Sequence, residues 1–196
     1  MAGPNLEKLK QLSAPKQLVF AYLICERLYP NYVYFSENYD FGDPNTLRQS
    51  IQFIHENLFC EVAVSHEVDK FLQLVDKNTP DAENFETSYV SSALDACTAV
   101  TETLRFMVKQ NFTMVEDISI FAIDSVDMYI QEIEQLDFSN DKLFQQKVES
   151  HPLMQREVFL QQGAITYLVS RSDLDYEDVK TLLRMQDNNG KGSLNL

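Results

Sequence analysis

A chain of 196 residues is long enough for one domain of ordinary size, or at most two small ones. Lys and Arg number 16 against 30 Asp and Glu, a net charge of -14, which argues against a phosphate-binding basic face and against docking on anionic membranes. A hydrophobic content of 44% with 11% aromatics is too rich for a disordered chain.

In chain order, the first strong element begins at Pro15. The run Leu18 to Cys25 is apolar all round, as in a central helix touched from several sides. Pro30 is predicted to kink or end it, with a separate short aromatic helix over Tyr32 to Tyr39 closed by a Phe41-Gly42 turn. Asp43-Pro44 is a helix start, aspartate capping and proline at the first helical position. Leu47, Ile51, Ile54 and Leu58 then keep the helical period. Glu61 to Val64 is too short to argue for a sheet, and a short helix follows over His66–Lys77.

The clearest helical pattern runs from about Thr87 to Gln110. Val90, Ala93, Leu94, Cys97, Val100, Leu104 and Met107 face inward, and Ser91, Asp95, Thr98, Glu102, Arg105 and Lys109 face water. Glu102 and Arg105 fit an exposed ion pair. Thr113-Met-Val-Glu116 fits a capping box. It would open a helix with Val115, Ile118, Ala122, Val126, Tyr129 and Ile133 inward, and Asp117, Asp124, Asp127, Gln131 and Glu134 on a solvated face. So short a connection predicts a central antiparallel pair over about 87–110 and 113–136. Further helices are expected near Asp141–Glu149, Pro152–Ser170 and Asp173–Met185. The fold class is all-α: a single-domain multi-helix bundle over 1–186, with a flexible polar tail over 187–196.

Cys25, Cys60 and Cys97 lie far apart in apolar runs and are expected to be buried and reduced. The N-terminus lacks the basic and apolar regions of a signal peptide, and no apolar run approaches the 20 or so residues of a membrane span. A soluble cytoplasmic protein is expected. His55, His66 and His151 fall in no metal-binding spacing, and no phosphate loop or nucleophile elbow occurs. Asp187 to Gly192 is like a calcium loop at first sight, but Lys191 stands where the fifth position should bind. No metal, no cofactor and no catalytic set is therefore assigned.

The most unusual patch is Cys25-Glu26-Arg27-Leu28-Tyr29-Pro30-Asn31-Tyr32, followed by Phe41-Gly42-Asp43. A charge at the edge of a buried helix must be paired or reach water. An internal Glu–Arg or capping network that fixes the Pro30 kink accounts for it; so does a small pocket lined by tyrosines with a convergent acid, base and amide.

The same residues resemble the signature of a bacterial family known as domain of unknown function 416, the YjaG-like proteins. The resembling pieces are Cys25-Glu26-Arg27, Tyr29-Pro30-Asn31-Tyr32, Phe41-Gly42-Asp43 and Asp95-Ala96-Cys97. The resemblance implies an all-helical bacterial cytoplasmic protein of about this length, and no activity.

The reading that follows is a non-enzymatic soluble protein acting through self-association, as a homodimer, or through a protein partner with a basic surface. Residues 113–149 carry nine acids against two lysines. Neither nucleic acid nor membrane is expected as a partner. The alternative is a small-molecule binder or enzyme using a cleft near Glu26, Arg27, Asn31, Tyr32 and Asp43, with arginine clamping a carboxylate or phosphate. A third reading has the acidity mimic DNA on a basic protein.

Overall fold

The computed structural model describes residues 3–60 and 65–196. Among them the helices are α1 (Leu6–Lys10), α2 (Ala14–Tyr39), α3 (Pro44–Glu56), α4 (Ser65–Lys77), α5 (Tyr89–Lys109), α6 (Phe112–Ile133), α7 (Phe144–Ser150), α8 (Pro152–Ser170) and α9 (Tyr176–Gln186), with a 3-10 turn over Ala82–Asn84 and no strand. The Glu61 to Val64 segment lies outside the described residues.

The core is built on α2, α5 and α6, which pack on one another. The reason is the all-round apolar run: every residue from Leu18 to Cys25 is buried. Large apolar side chains such as Phe20 and Ile24 each contribute about 1.5–3 kcal/mol when removed from water. α5 and α6 form the expected long pair, joined through Gln110 and Asn111. Gln110 takes a left-handed conformation at φ 48° to reverse the chain. A smaller apolar cluster joins Val126 and Ile130 of α6 to Phe144, Val148, Leu153, Met154 and Leu194.

Four expectations are corrected. First, Pro30 neither ends α2 nor splits off an aromatic helix; α2 runs unbroken for 26 residues. Proline removes one helical amide, but burial on both sides of the break outweighs it. Arg27 O, one turn earlier, accepts the Ser193 amide at 3.1 Å. Second, α6 is capped by Asn111, whose side chain accepts from the Thr113 amide at 3.2 Å, so no Thr113–Glu116 box forms. Third, residues 187–196 do not hang free. Ser193 and Leu194 are buried, because Leu194 completes the smaller cluster. Fourth, Cys60 is exposed, past the end of the apolar run, while Cys25 and Cys97 are buried; all three are free thiols.

Elsewhere the local signals hold. Asp43 caps α3 by accepting from the Asn45 amide at 2.9 Å. Helix α8 spans Pro152–Ser170, and α9 starts later than expected, behind an Asp175 capping box. The Glu102–Arg105 pair forms at 2.6 Å. No helix among the described residues is long and apolar enough to cross a membrane.

Candidate functional site

The five residues singled out in the sequence do not converge on one point. Each side chain is traced below to the element that holds it.

Arg27 is 5% exposed and is held by Glu157 of α8, which is 2% exposed, with contacts of 3.1 Å from Nε and 2.6 Å from Nη2. Its Nη1 donates to Gln186 Oε1 at 2.6 Å and to the Leu23 carbonyl. Gln161 donates to Glu157 Oε1 at 2.9 Å, and Ser119 of α6 donates to Gln161 Oε1 at 2.5 Å. A buried polar chain thus links α2, α6, α8 and α9. The charges neutralise one another, so neither is available as an acid or base.

Glu26 turns to the other side of α2. Both its oxygens accept from Arg48 Nη1 at 2.9 Å, and Tyr22 Oη donates to it at 2.8 Å. The internal Glu–Arg network takes the form of two separate pairs, because consecutive residues on a helix point about 100° apart. Asn31 lies one turn beyond Arg27, and its Nδ2 donates to Ser193 Oγ at 2.9 Å. Tyr32 and Asp43 belong to another neighbourhood. Tyr32 Oη donates to the Asn78 carbonyl at 2.7 Å, and the Asp43 amide donates to Asn78 Oδ1 at 2.8 Å. Asn78 thus ties the end of α2 to the start of α3.

Two of the three thiols are quenched by burial. Burial pushes the Cys25 and Cys97 thiols up to about 12, so neither is a nucleophile near neutral pH. No group of three or more His, Cys, Asp or Glu side chains among the described residues is placed to hold a metal.

An open cleft of about 790 Å³ lies between α2, α3, the end of α9 and the last ten residues. Glu26, Arg27, Tyr29, Pro30, Tyr34, Glu37, Arg48, Arg184, Asp187 and Lys191 are among its lining residues, so two of the five candidates reach it. Arg48 also stacks on Tyr29, its guanidinium carbon 4.0 Å from the ring centre. Sequence reasoning missed Arg48, Arg184 and Lys191, which lie in three different segments. No local pattern marked them, because only the fold brings those segments together.

A second feature lies on the outer side of α5 and α6. Asp95 is not on a freely solvated face. Burial first, and then the nearby Asp124 carboxylate, push its carboxyl up to about 7, with the Ser125 hydroxyl pulling the other way. Asp124 is raised too, by burial and by Asp127. Because the folded-state value exceeds the ordinary 3.8, Asp95's contribution to stability is complete below that value and is lost as pH rises through about 7. Asp95→Asn is therefore expected to raise the melting temperature by several degrees at pH 8 and to leave it unchanged near pH 4. Melting curves across that range check it; equal shifts at both ends would refute the assignment.

This geometry defines an all-α protein wound on a buried three-helix centre, with a polar chain through its core and an open cleft beside α2. The family model described as "Protein of unknown function (DUF416)" matches residues 4–195, and the chain belongs to that family. It is 24% identical over 183 residues to the uncharacterized protein YjaG of Escherichia coli (strain K12), covering 93% of this chain and 90% of that one. YjaG of Salmonella typhimurium is 24% identical over 182 residues, with the same coverage of 93% and 90%. The crystal structure of a DUF416 family protein from Shewanella baltica OS155 superposes with a TM-score of 0.88 at 27% identity, covering 100% of this chain and 99% of that one. The expected family and fold are thus both found, and the relatives carry no assigned activity.

Proposed function

We propose that this protein acts by association rather than by chemistry, and that the outer face of α6 receives a partner protein with a basic surface. The observation that carries this is the crowding of acids there: Asp95 and Asp124 are each raised first by burial and then by a neighbouring carboxylate, Asp124 for the one and Asp127 for the other. No ion pair reaches Asp95, Asp117, Asp124 or Asp127 among the described residues. Cationic side chains set among these acids would relieve the repulsion. Ile120 and Met128, 47% and 46% exposed, share the face and supply apolar area to bury. A symmetric homodimer through this face would set acids against acids, so a different protein is the better fit. The free thiols Cys25, Cys60 and Cys97 support a reducing, cytoplasmic setting.

The test is titration of a synthetic amphipathic helix with one lysine-rich and one leucine-rich face. Asp124→Asn/Asp127→Asn is expected to weaken binding about tenfold, ~0.7 kcal/mol for each charge. Asp69→Asn/Glu83→Gln removes the same charge from exposed positions elsewhere and is expected to change little. Equal losses in the two variants would show diffuse attraction to an acidic chain and refute the site. Light scattering at high micromolar concentration is expected to give the monomer mass.

The cleft favours a second reading, as a site for a small molecule, since its volume falls in the range of small-ligand pockets.

A further inference from the structure

We infer that the cleft takes an amino-acid-like zwitterion with an apolar or aromatic side chain. The inference rests on the cleft being a ligand site and names what that ligand is.

Some of the lining charges are already spent. Glu26 is neutralised by Arg48, and Arg27 by Glu157. Four charged residues lining the cleft make no ion pair among the described residues: Arg184 and Lys191 as cations, Glu37 and Asp187 as acids. Lys191 Nζ donates to the Asn195 carbonyl at 3.2 Å, which leaves its charge uncompensated. Asp187 accepts one long contact from the Gly190 amide at 3.5 Å. Three of the four lie within eight residues at the end of α9 and just after it, so both signs are presented by one short segment.

A ligand of one sign would gain two of these partners and be repelled by the other two. A molecule carrying a carboxylate and an ammonium close together complements both. The carboxylate suits Arg184 and Lys191, since the guanidinium fork matches carboxylate geometry. The ammonium suits Asp187 and Glu37. On the α2 side, Tyr29, Pro30 and Tyr34 line the same cavity. Arg48 stacked on Tyr29 fixes that ring. Such rings favour a flat apolar or aromatic side chain.

The experiment uses three probes of one shape and different charge: L-phenylalanine, 3-phenylpropionate and 2-phenylethylamine. Each is titrated into the full chain labelled with nitrogen-15, and amide shifts are followed. Phenylalanine is expected to move residues 29–34 and 184–191 and to bind at least about tenfold more tightly than either singly charged analogue. Arg184→Gln/Lys191→Gln and Glu37→Gln/Asp187→Asn are each expected to bring phenylalanine down to the level of the analogues. All four side chains are partner-free in the ion-pair sense, so the melting temperature of both variants is expected to stay at the wild-type value. If an analogue binds at the cleft as tightly as phenylalanine, or if either double variant keeps the affinity, the zwitterion assignment is overturned while the cleft remains a ligand site. If none of the probes moves cleft residues at millimolar concentration, both readings fall.

Discussion

Arg27→Met is expected to lower the unfolding free energy by about 3–5 kcal/mol, because it strands the Glu157 carboxylate in a dry interior. At ~3 °C per kcal/mol for a chain of this size, that is a fall of about 10 °C in melting temperature. Glu157→Leu strands Arg27 and is expected to cost a similar amount. The double variant Arg27→Met/Glu157→Leu is expected to recover at least half of the loss, since the desolvation of two ions disappears with the pair. Recovery stops short of complete because Gln161 and Gln186 each lose a partner. Denaturant unfolding of the three variants decides the matter. Single variants that cost under about 1 kcal/mol would mean that water reaches the pair.

The second large effect is expected at Gly42, which has a φ of +69°. An added Cβ there would overlap Tyr32 Oη and lie 3.3 Å from Tyr32 Cζ. Gly42→Ala therefore meets two costs. The left-handed backbone costs about 1 kcal/mol for a residue with a side chain. Displacing Tyr32 breaks its hydrogen bond to the Asn78 carbonyl, about 1–3 kcal/mol for a buried group. A total near ~3 kcal/mol is expected in denaturant unfolding. Tyr32→Phe removes the oxygen that the Cβ would strike, so Gly42→Ala is expected to cost less in that background than in the wild type. Strict additivity would place the clash elsewhere.

Both predictions concern residues of the patch that the sequence marked as unusual, and they show what kind of information lies in local pattern. The apolar run Leu18 to Cys25, the Asp43-Pro44 start and the limits of α8 were legible because nearest neighbours determine them. The family was legible in the short runs around Glu26 and Asn31, and the comparisons bear it out. The passage of α2 through Pro30 was not legible, because the local preference against helix is outweighed by packing on both sides. The partners of the charges were also hidden. Arg48 is 22 residues from Glu26, Glu157 is 130 from Arg27, and Ser193 is 162 from Asn31. Residues contiguous in the chain looked like one site, and the helix turned them to different neighbours. Of the candidate residues, Glu26 and Arg27 line the cleft, while Tyr32 and Asp43 serve the Asn78 junction. In the tail, Leu194 and Leu196 were the overlooked clue, two apolar residues in a stretch judged by its glycines and asparagines.

Glycine 192 shows how closely that last segment seats: a Cβ there would come within 2.5 Å of Asn31 Oδ1 and 2.9 Å of the Arg27 carbonyl. The consequence concerns biosynthesis. Translation delivers α2 with its arginine lacking a counter-ion until Glu157, 130 residues later, has been made. Contacts of such long separation are slow to close. The α2–α5–α6 centre is complete by residue 133, whereas Arg27 waits for its carboxylate until α8 has been made.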